Sequence, residues 1–331
     1  MNRNDWLKWV SLAAVVIALF LIPVFIKNPY WMLVLTLLWN YIIVAQGFRY
    51  IATTGEYSFA HVPLMGMGGY ASALLVMKLG MSFWLALPLA VLVTAIISAI
   101  IYYPCLRTTG TFFFFASFAF GEVMRLCWVR FKNPFGGVGG LSHIPRPDPI
   151  HIPGLPIVEF TLFSHTSYYY LILVFMLFSV LTMYLLENSR LGAIAAAIKE
   201  SKILASFVGI RVWRYEMIIF VIASAFAALG GCLYAHYMTL LVPEEFYWGL
   251  AIYVCIWAVV GGMGHFTGPI VGTIVFGLIK ELLRPFPQIV PLIYGLILAA
   301  TLALLPEGLI SLPKKILLWN KRRLSRLRRD K

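Results

Sequence analysis

The strongest constraint in this sequence is a series of long apolar runs, each close to the ~20 residues that a membrane-spanning helix needs. The runs are continuous and lack the alternation with a period of two that is typical of membrane β-strands. The pattern therefore predicts an all-α polytopic transmembrane helical bundle that forms one domain over residues 1–331. About ten spans are expected, at residues 9–26, 31–48, 57–77, 82–103, 111–129, 168–186, 215–236, 249–264, 266–283 and 288–305.

Composition excludes a soluble or disordered protein. Hydrophobic residues make up 61% of the chain and charged residues only 12%, which is about half the charged share of a soluble domain. The sequence also lacks a GxSxG nucleophile motif, paired intramembrane aspartates and the spacing of metal ligands. We therefore expect no catalytic residue, no metal site and no cofactor, and we do not expect an enzyme.

The net charge of +13 is concentrated in three segments of the chain. These are the first eight residues, the segment 188–214 and the tail 314–331. Lys and Arg mark the cytoplasmic segments of membrane proteins, so the basic character indicates topology and not nucleic-acid binding. An even number of spans then places both termini in the cytoplasm and leaves the Pro- and Gly-rich loop 131–166 on the periplasmic side.

The basic segment 188–214 is predicted to contain a short helix followed by a second helical piece. Leu191, Ala195 and Ile198 recur at helical spacing, and Gly209 is suited to end the second piece. We expect no partner for the first helix within this chain. It could rest on the bilayer interface, or it could dock in a groove of a cytoplasmic partner, which its small residues favour. The candidate coupling residues are Arg190, Gly192, Ala195, Ala196, Lys199, Glu200 and Gly209.

Two charged residues fall within the fifth predicted span, where ionisable groups are costly. Glu122 and Arg125 are three residues apart, so they can neutralise each other on one helix face. The pair could be purely structural, or it could line a translocation path.

Small residues within the predicted spans allow close contact between helices. Gly264, Gly268 and Gly272 repeat every four residues at the junction of the eighth and ninth spans. Gly261 precedes this series, and Gly69 belongs to a similar cluster in the third span. These glycines could serve static packing, or they could form a sliding or gating surface.

The chain contains no GxxxxGK[ST] motif, so it cannot hold a nucleotide phosphate in that way. If ATP drives transport, another polypeptide must supply the ATPase. No Asp falls within a predicted span, which disfavours a proton-coupled carrier.

Several motifs occur in an order and spacing that resemble one transporter family. They are FAFGEVMRL (118–126), GGVGGLSHIPRP (136–147), RLGAIAAAIKESKILASFVGI (190–210), AFAALGGCLYAHY (225–237), VPEEF (242–246) and VVGGMGHFTGPIVGTI (259–274). Together they look like the permease of the high-affinity branched-chain amino acid ABC transporters. The urea and short-chain amide permeases are related to that family.

The resemblance implies a multi-pass permease subunit in a bacterial-type inner membrane, working by alternating access. Its implied partners are two cytoplasmic ABC ATPase subunits, a second homologous permease and an extracytoplasmic substrate-binding protein. It also implies that Arg190–Gly209 lies on an ATPase subunit. The expected substrates are branched-chain or other small amino acids. A urea or short-chain amide permease and a self-sufficient secondary carrier are the alternatives.

The charge distribution generates a test of topology. Cysteines placed at Ser142 and at Ser189, in a cysteine-free background, should react with a membrane-impermeant thiol reagent from opposite sides of the membrane. The reason is that Ser142 lies in the predicted periplasmic loop and Ser189 in the basic cytoplasmic segment. Labelling of both positions from the outside would overturn the topology.

Overall fold

The computed structural model describes residues 3–149, 160, 165–305 and 308–312. Within this part of the chain the secondary structure is helical apart from two strands of two residues each. The helices are α1 (Arg3–Phe25), α2 (Pro29–Ala52), α3 (His61–Leu79), α4 (Phe83–Cys105), α5 (Thr111–Arg130), α6 (Lys132–Phe135), α7 (His165–Glu187), α8 (Arg190–Glu200), α9 (Lys202–Phe207), α10 (Val212–Met238), α11 (Trp248–Gly262), α12 (Gly268–Leu282) and α13 (Val290–Leu304). The strands are β1 (Leu141–Ser142) and β2 (Leu240–Leu241).

The all-α polytopic architecture is confirmed, and each predicted span coincides with a helix. Six helices in the described part of the chain are long and apolar enough to cross a membrane, namely α2, α3, α4, α5, α7 and α10. By contrast, α11, α12 and α13 have 15 residues each. A helix of that length extends about 22 Å, against ~30 Å for the hydrocarbon core. The count of ten spans therefore stays a prediction.

Local signals fix where several helices begin and end. Asn28 accepts a hydrogen bond from the Tyr30 amide at 2.9 Å and caps α2, with Pro29 at the first helical position. Ser82 caps α4 in the same way, through the Trp84 amide at 3.2 Å. Between them, Gly80 ends α3 in the left-handed conformation that glycine adopts without strain.

The longest helix, α10, occupies the centre of the bundle and packs on α2, α3 and α4. Its closest contact is with α3, where Gly68 lies against Ala228 and Gly231 lies against the Met65 carbonyl. A side chain at Gly231 would overlap that carbonyl, so glycine permits this approach. Gly69 contributes as well, because a Cβ there would sit 3.0 Å from the Gly231 oxygen.

The predicted glycine series forms a second close contact, between α11 and α12. Side chains at Gly261, Gly268 or Gly272 would overlap backbone atoms of the opposite helix. Gly264 differs from these three, because it lies in the turn between the helices and a Cβ there would meet no atom within 4 Å. It takes no part in the packing that the spacing predicts.

The two ends of the bundle collect different segments. At one end β1 pairs with β2 in antiparallel register, which joins the loop after α5 to the loop after α10. At the other end the segment that contains α8 and α9 meets the loop between α2 and α3. Loops that the charge distribution assigns to one side of the membrane therefore share one end of the fold. The tail 314–331 and most of residues 150–164 lie outside the described residues.

Within the glycine series, the packing predicts unequal effects of the same substitution. Gly272→Ala should lower the melting temperature of the purified protein, because its methyl group would overlap the Trp257 carbonyl and overpacking typically costs ~1–3 kcal/mol. The matched control Gly264→Ala should leave the melting temperature unchanged. Equal effects in a thermal unfolding assay would contradict this account of the contact.

Candidate functional site

Two short helices, α8 and α9, form the projecting segment between α7 and α10. The Ser189 hydroxyl caps α8 by accepting from the Leu191 amide at 3.2 Å, and Ser201 caps α9 through the Leu204 amide at 3.3 Å. After α9 the chain turns at Gly209, whose φ is +86°. The Gly209 and Ile210 amides donate to carbonyls of the last turn of α9, the pattern of a Schellman motif. The predicted pair of helical pieces and the role of Gly209 as the terminating residue are both confirmed.

One face of α8 is buried within the protein itself. Ala195 and Ile198 have almost no exposed surface, and α8 packs on α7 and α10. Gly192 faces the carbonyl of Glu187 closely enough that a side chain there would overlap it. The expectation that this helix has no partner in the chain is therefore wrong. The candidate residues left on the exposed face of α8 are Arg190, Ala196, Lys199 and Glu200.

The exposed apolar surface of this segment lies mainly on and just after α9. Phe207 is 82% exposed and Val208 is 77% exposed, and Ile203 and Leu204 are also open to the surroundings. Contiguous apolar surface of this kind marks interaction sites. These four residues are missing from the predicted coupling set, although Ile203 and Phe207 share a helix face by their spacing.

An ion pair fixes the start of the projecting segment. Glu187, the last residue of α7, accepts two hydrogen bonds from the Arg49 guanidinium on α2, at 2.6 and 2.8 Å. Arg49 also donates from Nε to the Met263 carbonyl at 3.2 Å, and its guanidinium lies 5.5 Å from the centre of the Phe266 ring. Because such bidentate pairs constrain geometry, α7 ends in a fixed position against α2 and the turn before α12.

A second ionic cluster fixes the junction between α8 and α9. Lys202 Nζ lies 2.7 Å from Glu56 Oε1 and 2.8 Å from Glu216 Oε1. Both carboxylates are buried, and Glu56 also accepts from the Gly110 amide at 3.1 Å. Burial lowers the pKa of Lys202, but the two carboxylates raise this pKa by more, so the ammonium stays charged. The cluster joins α9 to α10 and to the loops before α3 and α5.

A third ionic cluster lies on α5, and it confirms the predicted pairing of Glu122 with Arg125. Arg125 Nη2 lies 2.5 Å from Glu122 Oε1, and Arg125 Nη1 lies 2.8 Å from Glu244 Oε1. The third member, Glu244, belongs to a short 3₁₀ helix, Pro243–Phe246, that follows β2. Sequence spacing found the local pair but not Glu244, which is 119 residues from Arg125.

The position of this α5 cluster is unusual for a membrane helix. Glu122 is the twelfth of the twenty residues of α5, so it lies near the middle of the helix. Its side chain is 28% exposed, and neighbouring Val123 and Leu126 are largely exposed. Because charged groups within a membrane are costly next to lipid, the partly exposed Glu122 is suited to face a protein partner or water.

Two buried histidines, His61 and His236, serve as hydrogen-bonding groups in the packing of the helices. His61 Nε2 lies 3.0 Å from the Val44 carbonyl, and His236 Nδ1 lies 2.6 Å from the Pro145 carbonyl. Among the residues that the structure describes, no three His, Cys, Asp or Glu side chains gather in a way that could hold a metal ion.

The fold and its paired charges define a polytopic integral membrane protein. The chain belongs to the branched-chain amino acid transport permease family, because residues 30–305 match the family described as "Branched-chain amino acid transport system / permease component". No solved structure matches the chain.

Two relatives are similar to this chain over most of its length. The high-affinity branched-chain amino acid transport system permease protein LivM of Salmonella typhimurium (strain LT2) is 27% identical over 293 residues, which are 83% of this chain and 68% of the relative. LivM of Escherichia coli (strain K12) is 27% identical over 298 residues, which are 84% of this chain and 69% of the relative. The resemblance inferred from the sequence motifs is confirmed, and both relatives are named as transport permeases, not as enzymes.

The α5 cluster predicts an order of effects among charge substitutions. Arg125→Gln should reduce the yield of folded protein more than Glu122→Gln, because Arg125 alone serves two carboxylates while Glu122 removal leaves Arg125 paired with Glu244. A buried charge without a partner is the costly state. The double variant Glu122→Gln/Arg125→Gln should therefore reduce the yield of folded protein less than Arg125→Gln alone. Folded yield is measured by size-exclusion chromatography. Normal folding of all three variants with complete loss of uptake would assign the cluster to the translocation path instead.

Proposed function

We propose that this chain is a permease subunit of an ATP-driven importer that moves branched-chain or other small amino acids across the inner membrane by alternating access. Family membership supports the transport of branched-chain amino acids, and the two relatives are named for that activity. The absence of a phosphate-binding motif in this chain assigns ATP hydrolysis to other subunits. The partners we propose are two cytoplasmic ABC ATPases, a second homologous permease and an extracytoplasmic substrate-binding protein.

The observation that carries this proposal is the two-sided construction of the α8–α9 segment. Its inner side is held by Ala195, Ile198 and Lys202, and its outer side leaves Ala196 and Phe207 open. A segment that is anchored on one side and apolar on the other is suited to receive a partner and to pass on its movement. In this proposal the outer side seats on an ATPase subunit.

Movement of the seated segment would reach the membrane helices through the ionic clusters. Lys202 carries it to Glu56 and Glu216, which belong to the loop before α3 and to α10. The pair of Glu187 with Arg49 carries it to α2. ATP can drive such a change only if it binds the two states with different affinity.

The charged cluster on α5 indicates which surface of this subunit meets the second permease. Glu122, Arg125 and Glu244 stay partly exposed in this subunit, and lipid would be a costly neighbour for them. We therefore propose that this face borders the second permease and the aqueous path between the two subunits. The glycines Gly69, Gly261, Gly268 and Gly272 form a gating surface if the helices that they join, α3 with α10 and α11 with α12, move against each other during transport, and otherwise they serve static packing.

The proposed orientation has both termini in the cytoplasm. The loop 131–166 then faces the periplasm and meets the substrate-binding protein, while 188–214 and the basic tail 314–331 lie in the cytoplasm.

Substitutions on the open side of the α8–α9 segment test the coupling. Ala196→Trp adds volume at an exposed position, and Phe207→Ala removes an exposed apolar side chain, so the fold should survive both. For Ala196→Trp, overpacking of ~1–3 kcal/mol against the ATPase corresponds to a loss of affinity of about 5- to 150-fold. We expect both variants to retain less ATPase on co-purification, and to show hydrolysis uncoupled from amino acid uptake in vesicles.

The matched control for the coupling test is Val138→Trp, which enlarges an exposed residue at the opposite end of the bundle. It should leave ATPase binding intact. Gly192→Trp is unsuitable, because the added side chain would overlap the Glu187 carbonyl and disturb the fold directly.

Full complex formation and full uptake by both coupling variants would refute the proposal and favour a segment that rests on the bilayer. Uptake by the chain alone, without ATPases, would favour a secondary carrier, and uptake of urea or amides in place of amino acids would revise the substrate.

A further inference from the structure

A cleft opens between the end of α4 and the beginning of α10, on the end of the bundle that carries α8 and α9. Its volume is about 220 Å³. The residues that line it combine aromatic rings, apolar side chains and one cation, and they are Tyr103, Leu106, Arg107, Trp213 and Met217. Tyrosine and tryptophan in this position are typical of the boundary between hydrocarbon and lipid headgroups.

Exposed arginines lie at this cleft and close to it along the chain. Arg107, Arg211 and Arg214 are all exposed, and within the described residues none of them pairs with a carboxylate. Glu216, which is close to them along the chain, is buried and paired with Lys202. Arg107 lines the cleft, and Arg211 and Arg214 are within two residues of Trp213, which also lines it, so this part of the surface attracts an anion.

Aromatic rings hold two of these arginines in place at the cleft. The Arg107 guanidinium lies 5.3 Å from the centre of the Tyr103 ring and donates to the Tyr103 hydroxyl at 3.5 Å. The Arg214 guanidinium lies 5.4 Å from the centre of the Trp213 ring. Stacking of this kind fixes the guanidinium plane and leaves its edge free to donate to phosphate oxygens.

An apolar stripe leads from the bilayer into the same cleft. Ile96, Ile100 and Tyr103 follow one another at spacings of four and three on α4, so they share a face. Each of these side chains is more than half exposed. Because the stripe runs along a membrane-spanning helix, the ligand that it suits carries a hydrocarbon chain as well as an anionic group.

From these observations we propose that the cleft binds one anionic phospholipid. Arg107 and Arg214 bind the phosphate, Tyr103 and Trp213 enclose the glycerol region, and an acyl chain lies along Ile100 and the stripe above it. Charge favours an anionic lipid over a zwitterionic one, and the stripe favours a lipid over a free phosphate or an acidic protein surface. Since Trp213 follows the α9–α10 connection directly, the bound lipid would also steady the end of the projecting segment.

Lipid titration of the purified full-length chain tests this site. Phosphatidylglycerol and phosphatidylcholine with identical acyl chains are compared by native mass spectrometry, with glycerol 3-phosphate as the probe for a free phosphate. We expect phosphatidylglycerol to bind about tenfold more tightly than phosphatidylcholine. The variant Arg107→Gln/Arg214→Gln should lose this preference, and Arg107→Lys/Arg214→Lys should keep most of it because the charge remains.

The matched control is Arg130→Gln, which removes an exposed arginine at the opposite end of α5. It should bind phosphatidylglycerol like the unchanged protein. Equal affinity for the two lipids, or an unchanged preference in Arg107→Gln/Arg214→Gln, would overturn the proposal. Competition by glycerol 3-phosphate at the same concentration would identify a free-phosphate site instead. Loss of bound phosphatidylglycerol when the ATPases join the complex would assign the arginines to a protein contact, and would also refute the lipid site.

Discussion

The arrangement of this protein depends on the close backbone contact between α3 and α10. Once helices are inserted in a membrane, the hydrophobic effect no longer draws them together, so packing of small residues has to do so. Gly68 against Ala228 and Gly231 against the Met65 carbonyl supply that packing. α10 also contacts α2 and α4, and the α8–α9 segment leads directly into it, so the small-residue contact fixes the helix on which that segment depends. Glu216, which pairs with Lys202, therefore lies on a helix whose position is already set.

The ionic clusters at the α8–α9 end constrain the projecting segment against helices that this packing has already positioned. A buried ion pair adds little net stability, because the cost of desolvating both charges offsets their attraction. Breaking one is expensive, however, because a buried charge is left without a partner. The cluster of Lys202, Glu56 and Glu216 therefore adds little stability, but it restricts where α9 can lie. A partner that displaces α9 has to move the carboxylates with it or leave them unpaired.

Sequence reasoning was most successful where the signal is local. Helical periodicity and apolar run length predicted the helices, and the spacing of three residues predicted the pair of Glu122 with Arg125. It failed where partners are distant along the chain, as for Lys202 with Glu56, which are 146 residues apart. Gly192 and Ala196 show the same limit. Their spacing places them near one another on α8, but only the fold reveals that Gly192 meets the end of α7 while Ala196 is exposed.

The helix that connects the Lys202 cluster to the cluster of Glu122 and Arg125 is α5. Its first turn follows Gly110, whose amide donates to Glu56 in the cluster that holds Lys202. Farther along, the same helix carries Glu122 and Arg125 on its partly exposed face. Gly110 adopts a positive φ, which glycine tolerates, and a Cβ there would meet nothing within 4 Å, so the backbone has room to turn at this point. A contiguous series of contacts therefore runs from α9 through Lys202 and Glu56 to the charged face of α5. Because these contacts are continuous, they form a physical route for coupling between α9 and α5. A coupling free energy along this route requires α5 to have two stable positions.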